Sequence, residues 1–391
     1  MACIIFFSST LSAGHLSLIH IFSAPGRTEI GGNHTDHNHG RVLAGSVELD
    51  VIGIAAKSPS PLVRLKSKGH DENRVELNTL SPREEERETS NALVRGVCAR
   101  FGELGLPAGG FDAYTTSDVL SGSGLSSSAA FEVLLCAILA GLYGGEVSPI
   151  QAAQISQYAE NRYFGKPCGL MDQMACSVGG LITIDFENPE APRVEKVEYD
   201  FAKSGHRLCI TATGGSHAAL SSEYAAITVE MGKVAELLGV THLRHAGKTR
   251  FYAELPRLRG RVSDRALLRA IHFFSDNDRV GAQVEALRSG DFAAFLSLVS
   301  ESGRSSFMYL QNVICVTTPE EQNMALALAL SDHLLGKKGA FRVHGGGFAG
   351  TIQAFVPRAE VASYQAGMDA VFGPGSCKVL TIRPQGGVRV F

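Results

Sequence analysis

Much of what this 391-residue chain lacks narrows what it can do. Its 36 lysines and arginines face 39 aspartates and glutamates. Without a basic footprint, nucleic acid is not an expected partner. No run is long and apolar enough to suggest a membrane span. The eight cysteines include no Cys-x-x-Cys pair, and several, such as Cys136 and Cys209, sit in apolar runs. That pattern argues for reduced thiols in a cytoplasmic protein rather than a disulfide framework. There is no internal repeat and no low-complexity linker. With 45% hydrophobic and 19% charged residues, the chain reads as a globular protein with length for two domains or lobes.

The rest is organised around LSGSGLSSSAA, residues 120–130. Residues 111–119 before it read as a strand. Residues 131–143 after it are apolar on nearly every face and read as a buried helix. Gly122 and Gly124 allow backbone angles that other residues resist. The first N–H groups of the helix point outward and favour an anion. Ser126, Ser127 and Ser128 add hydroxyls for phosphate oxygens or a magnesium ion. The stretch suits a nucleotide phosphate loop; the plainer reading is a Ser-capped helix after a flexible loop. Two absences restrict it further. No Lys-Ser or Lys-Thr pair follows, so it is not a P-loop, and the third glycine of a dinucleotide fingerprint is missing.

Along the chain, residues 1–22 are expected to be atypical. The opening is apolar without a preceding Lys or Arg, which makes a poor signal peptide. LSLIHI, residues 16–21, resembles a translated sequencing adapter, so a truncated or artefactual start is expected. Pro25-Gly26 reads as a turn. Residues 42–56 read as strands with Gly45 as a bend, 57–87 as short strands and loops, and 91–106 as a helix. Ser148 suits an N-cap and Pro149 the first position of a helix through residue 164. A strand is expected at 180–186. The composition shift over 187–201 suggests lobes at 23–200 and 201–391. Then come a strand at 208–213, helices at 225–238, across most of 261–310 and at 319–335, and a strand, glycine turn and strand over 340–356.

The segment Asn33-His34-Thr35-Asp36-His37-Asn38-His39 is dense in ligand-type side chains. Three His and one Asp could hold zinc, although neighbouring residues rarely converge on one ion. Carboxylate and imidazole could instead bind adjacent sugar hydroxyls, or the segment could be a polar turn. Arg27 could meet a phosphate or carboxylate, or be plain surface charge. Asp172, among Leu170, Met171, Met174 and Ala175, needs a partner or a shifted pKa. It could be a base or orienting group for a hydroxyl nucleophile, or a helix cap. Glu160, twelve positions earlier, suits magnesium with Ser127 or Ser128, or a solvated helix face. His344-Gly345-Gly346-Gly347 could approach phosphates or form a tight strand turn.

In this order and spacing, the segments from Pro25-Gly26-Arg27 onward, Gly122 to Ala129 and Gly345 to Gly350 resemble the GHMP small-molecule kinases. The first is similar to the galactokinase signature Gly-Arg-x-x-x-x-Gly-x-His-Thr-Asp. So are Pro-Cys-Gly-Leu-Met-Asp-Gln at 167–173 and Ser222-Glu223-Tyr224. The resemblance implies an α+β fold of two lobes, the first like ribosomal protein S5 domain 2 and the second ferredoxin-like, with the active site between them. It implies Arg27 and Asp172 as the catalytic pair, and Asn33, His34, Asp36, Gly169 and Tyr224 around the sugar. ATP phosphates would lie on Gly122, Ser123, Gly124, Leu125, Ser126, Ser127 and Ser128, with Mg2+ near Ser127, Ser128 and Glu160.

The activity implied is ATP-dependent phosphorylation of galactose at its anomeric hydroxyl by a cytoplasmic protein, most simply a monomer. The alternatives are a kinase for another sugar such as N-acetylgalactosamine, and a non-catalytic sensor of galactose and ATP. Asn33 stands where the family usually has Glu, His37 where it has Tyr, and Leu120 where a Pro is common. The first two bear on which sugar is read.

Overall fold

The computed structural model describes residues 19–119, 124–214 and 221–391. Leu120, Gly122, Ser123 and residues 1–18 lie outside the described residues. The chain runs β1 (His20–Gly31), β2 (Arg41–Lys57), β3 (Leu62–Ser67), β4 (Glu72–Glu76), α1 (Ser90–Glu103), β5 (Phe111–Ser117), α2 (Ser127–Tyr143), α3 (Pro149–Ala159), α4 (Met171–Val178), β6 (Leu181–Asp185) and β7 (Arg193–Lys196). It continues through β8 (His206–Ala212), α5 (Ser221–Leu237), α6 (Leu243–Ala246), α7 (Lys248–Leu258), α8 (Asp264–Arg288), α9 (Phe292–Ser305), α10 (Asn323–Leu335), β9 (Ala340–His344), β10 (Thr351–Pro357), α11 (Val361–Phe372), β11 (Cys377–Leu380) and β12 (Val388–Arg389).

The fold is α+β. An 8-stranded sheet has the order β12-β1-β2-β5-β3-β4, with β6 on β2 and β7 on β6. All its pairings are antiparallel except β3 with β5. A 4-stranded antiparallel sheet has the order β11-β8-β10-β9. Counted along the chain, those are its fourth, first, third and second strands, the ferredoxin-like order. The last strand, β12, returns to the first sheet beside β1.

The burial of β2 follows its neighbours. Its first half, Arg41 to Val47, is covered by α4 on one side and α8 on the other, and is apolar almost without alternation. Its second half is covered by α2, and there Val51, Gly53 and Ala55 are buried while Ile52 is exposed. Helix α2 is buried nearly all round because Leu134, Leu135, Ile138 and Leu139 join the core that holds Phe22 and Phe111. Ser148 accepts from the Gln151 N–H at 3.1 Å, with Pro149 in the first turn of α3, as its sequence predicts.

Several expectations need correction. Pro25-Gly26 is no turn: it lies inside β1, where the register with β2 slips between Pro25 and Arg27. Proline has no N–H for the ladder, and a bulge accommodates it. A side chain on Gly26 would sit 3.0 Å from the Leu125 carbonyl, so the bulge is where the phosphate loop crosses β1. Gly45 does not bend β2. It makes room for Ile382, whose Cδ1 would lie 2.8 Å from a Cβ there. The helix opened by Ser148 ends at Ala159 and passes into a single π-helical turn, Glu160–Phe164. Helix α10 starts at Asn323, not at residue 319. His20, Ile21 and Phe22 belong to β1, with Phe22 fully buried.

Candidate active site

Arg27 leaves β1 between two bulges and meets Asp172 in the first turn of α4. Its Nε and Nη2 donate to Oδ1 and Oδ2 of Asp172, both at 2.7 Å. The third arm, Nη1, donates to the Gly124 carbonyl. Arg27 is only 6% exposed, so it is neither surface charge nor free. Burial by itself would raise the Asp172 carboxyl. The guanidinium fork, and then the Ser126 hydroxyl donating to Oδ2 at 2.7 Å, hold it below its ordinary value. Burial likewise opposes the charge on Arg27, and Asp172 holds its pKa above the usual one. Asp172 is therefore ionised at neutral pH, and its side chain keeps 29% exposure toward the adjoining pocket.

That pocket, of about 80 Å³, is bordered by Arg27, Glu29, His34, Asp36, His37, Lys166, Gly169, Asp172, Tyr224 and Gly346 among others. His34 has φ +57° and directs Nε2–H to the Gly346 carbonyl at 2.9 Å. Burial, then neighbouring His37, lowers its pKa to about 3, so it is a neutral imidazole. The Tyr224 ring lies 5.0 Å from that of His34. Burial, then Asp36, raises the Tyr224 hydroxyl, which stays a protonated phenol. Asp36 opens a short 3-10 turn, Asp36–Asn38. A Cβ on Gly169 would fall 2.0 Å from Asp36 Oδ2, so only glycine lets that loop close on the carboxylate. Four of the five expected sugar residues thus line one pocket.

Asn33 does not, and its expected role is corrected here. It is 0% exposed. Its Nδ2 donates to Glu29 Oε1 at 3.1 Å and to the Gly345 carbonyl at 2.7 Å. Its Oδ1 accepts from Asn312 Nδ2 at 2.8 Å and Ser306 Oγ at 3.3 Å. No donor or acceptor of that amide is left for a ligand. Glu29, which sequence reasoning missed, borders the pocket in its place. Glu29 also accepts from Arg342. The only signal for it was a charge on an apolar strand.

On the other side of Asp172 lies the glycine- and serine-rich loop that the sequence suggested for phosphate. Gly124 has φ +71°, and a Cβ there would lie 2.4 Å from Thr351 Oγ1. Ser126 precedes α2 in the left-handed region but does not cap it, its hydroxyl being turned to Asp172. The first N–H groups of α2 have no side-chain cap, which leaves an anion site at the positive end of the helix. Leu125 contributes backbone alone: its side chain is in the core, 2% exposed, and its carbonyl accepts the Arg27 N–H at 3.0 Å. Ser127 begins the helix. Ser128 Oγ donates to Glu160 Oε1 at 3.1 Å.

Glu160 is not a solvated helix carboxylate. It is 2% exposed and accepts from Gln173 Nε2 at 2.6 Å, with Lys166 Nζ 3.4 Å away. The hydroxyl and carboxylate oxygens of Ser128 and Glu160 are the donors a hard cation takes, so these residues fit magnesium. Glu132, fully buried, is reached by the same Gln173 amide at 3.3 Å. Burial, then the charge of Glu160, pushes it well above its ordinary value, and it is neutral. Lys166 and Glu132 were not anticipated from the sequence.

His344 packs against the Gly124 loop, where a Cβ on Gly124 would lie 3.1 Å from its Nδ1. It bonds Thr28 Oγ1 at 3.1 Å and Thr351 Oγ1 at 2.9 Å, and accepts the Glu29 N–H at 3.2 Å. The glycines after it turn the chain at the sugar end of the cleft. The zinc reading of residues 33–39 as one site also fails, because His34 and His37 face Tyr224 while His39 faces His242. A larger cavity of about 400 Å³, bordered by Tyr199, Phe201, His206 and Phe355, lies elsewhere. Aromatic rings and the charged residues Glu198, Asp200 and Arg207 line it, and none of the expected site residues does.

The sequence matches two family descriptions: the galactokinase galactose-binding signature over residues 11–57, and the GHMP kinases N terminal domain over residues 92–180. It is 31% identical over 375 residues to a galactokinase of Streptomyces coelicolor, covering 94% of this chain and 93% of the relative. It is 30% identical over 352 residues to a galactokinase of Glaesserella parasuis, covering 86% and 85%. Among solved structures, Lactococcus lactis galactokinase complexed with galactose superposes with a TM-score of 0.84 at 23% identity, covering 100% of this chain and 99% of that one. A mevalonate kinase superposes with a TM-score of 0.65 at 13% identity, covering 93% and 99%. At those identities the likeness of the structures concerns the fold.

Proposed function

Since the chain belongs to the galactokinase family of the GHMP kinases, we propose that this cleft transfers the γ-phosphoryl group of ATP to the anomeric hydroxyl of galactose, giving galactose 1-phosphate and ADP. The observation that carries the reading is the shared carboxylate of Asp172. It accepts Arg27 from the sugar pocket side and Ser126 from the phosphate loop. A hydroxyl bound in the pocket therefore stands at the mouth of the anion site.

In this reading Asp172, ionised, accepts the hydrogen bond of the anomeric hydroxyl, aims its oxygen at the γ-phosphorus and takes its proton as the bond forms. A carboxylate held this low in pKa is a weak base, so its larger contribution is orientation and charge. Arg27 keeps Asp172 in place and stabilises charge on the transferring oxygens, which is where phosphoryl transfer gains most. His34, Asp36, Gly169 and Tyr224 hold the sugar. Gly122, Ser123, Gly124, Ser126, Ser127 and Ser128 hold the phosphates, with Leu125 through its backbone alone. Ser127, Ser128 and Glu160 would hold magnesium, which when bound neutralises phosphate charge. Residues 23–200 form one lobe, with the pair and the loop. Residues 201–391 make up the other, with Tyr224 and Gly346, apart from the closing strand β12, which returns to the sheet of the first. One chain completes the cleft, so we take the monomer as the working unit. We place it in the cytoplasm, where its seven free thiols among the described residues suit a reducing compartment. Among the described residues, no helix is long and apolar enough to cross a membrane.

A coupled ADP-release assay with galactose, glucose and N-acetylgalactosamine tests this. Galactose should give the highest kcat/KM. Faster turnover of N-acetylgalactosamine would reassign the sugar, and calorimetric galactose binding without ADP release from any sugar would make the protein a sensor.

A further inference from the structure

One ligand-type residue of the signature segment is not used by the kinase site. His39 ends the short turn that carries Asp36, in the left-handed region at φ +61°, and its side chain leaves the sugar pocket. It stacks on His242, with ring centroids 3.6 Å apart and planes 18° from parallel. The ring of His245 stands 5.3 Å from it, nearly edge-on at 76°. One ring nitrogen from each of the three lies within 4.8 Å of the others. His39 Nδ1 is buried without a hydrogen-bond partner. An orphaned buried nitrogen is costly, and such groups normally have a reason.

We propose that His39, His242 and His245 form a binding site for a borderline divalent transition metal, Zn2+ in the first instance, separate from the kinase chemistry. Three imidazoles select zinc, nickel or copper over magnesium or calcium, which take oxygen donors. In a tetrahedral site with Zn–N of about 2.0–2.1 Å, nitrogens sit about 3.3 Å apart. The observed spread closes by roughly 1.5 Å at most, through side-chain rotation of the exposed His245 and the half-buried His242. The ion would pin the turn holding Asp36 to α6, where Asn38 Oδ1 already accepts the Leu243 N–H at 3.2 Å. It would join segments some two hundred positions apart in the chain.

Equilibrium dialysis of the full chain against micromolar Zn2+, with magnesium in excess, tests the site. The wild type should take up one equivalent, and Zn2+ should raise its melting temperature. His245→Gln, at an exposed position that leaves the core untouched, should bind at least about tenfold more weakly and lose the thermal shift, since loss even of an outer-shell partner has that effect. His39→Gln should do the same. Co2+ should give visible d–d bands with no thiolate charge-transfer band. Three results would each overturn the proposal: no uptake by the wild type, full uptake by both variants, or a thiolate band showing that a cysteine holds the ion.

Discussion

Replacing Asn33 with Glu separates two readings of this position. If Asn33 touched the sugar, the change would alter sugar preference and little else. The structure instead places its amide 3.1 Å from Glu29 Oε1 in a fully buried setting. Two carboxylates with charge centres about 4 Å apart repel by about 4 kcal/mol at an effective dielectric of 20. Taking up one proton avoids most of this. For an ordinary carboxyl near 4.3 that costs about 3–4 kcal/mol at pH 7 and about 1.5 kcal/mol at pH 5.5, at 1.36 kcal/mol per unit. The Gly345 carbonyl, now bonded at 2.7 Å, loses its donor as well, which adds about 1–3 kcal/mol. Arg342, already on Glu29, offsets part of the total.

The sign follows from linkage. The shared proton is bound in the folded protein and absent from the unfolded chain at neutral pH, so stability falls as pH rises. The variant should melt several degrees below the wild type at about pH 8 and much closer to it at about pH 5.5. Thermal melts at the two pH values and a sugar panel provide the readouts. A variant that melts with the wild type at both pH values while switching its preferred sugar would refute this placement of Asn33.

Asp172→Asn should lower kcat by about a hundredfold or more. It should also destabilise the fold by about 3 kcal/mol, because Arg27 is left buried opposite a neutral group. Single-turnover kinetics and a denaturant titration read the two effects, and an unchanged kcat would remove Asp172 from the chemistry. Arg27→Lys keeps the charge but loses the two parallel bonds of 2.7 Å. A loss of roughly 2 kcal/mol, about thirtyfold in kcat/KM, is expected. Gly169→Ala drives a methyl group to within 2.0 Å of Asp36 Oδ2, which should raise KM for galactose by about tenfold or more with a smaller change in kcat. Glu160→Gln should raise the magnesium concentration needed for half-maximal rate, measured by magnesium titration at saturating ATP, and leave galactose binding by calorimetry unchanged.

The pairing of Arg27 with Asp172 spans 145 positions, and it was legible only through the resemblance of the two motifs to the family, since the chemistry of each residue by itself left other roles open. The helix after the phosphate loop was legible from its composition, and α3 from Ser148 and Pro149. Asn33 was misread and Glu29 missed for one physical reason. Side-chain direction on a bulged strand, and in the turn that follows it, depends on which residues enclose it, and here these are Asn312, Arg342 and Gly345, some three hundred positions away. Pro25-Gly26 misled because a bulge and a turn call for the same residues. Ser126 was legible as a hydroxyl near phosphate, but its bond to Asp172 was not.

The motifs along the chain were enough to point to the family and, through that resemblance, to Arg27 with Asp172 and to the glycine- and serine-rich loop, while helix ends and apolar runs, which act over a few residues, were legible directly. The packing of distant segments alone decided which of those polar groups face the cleft and which are consumed inside the protein. It sent Glu29 and Lys166 to the pocket, Asn33 into the core and His39 to His242, because hydrogen-bond satisfaction in a buried site is settled by whatever neighbours the fold supplies.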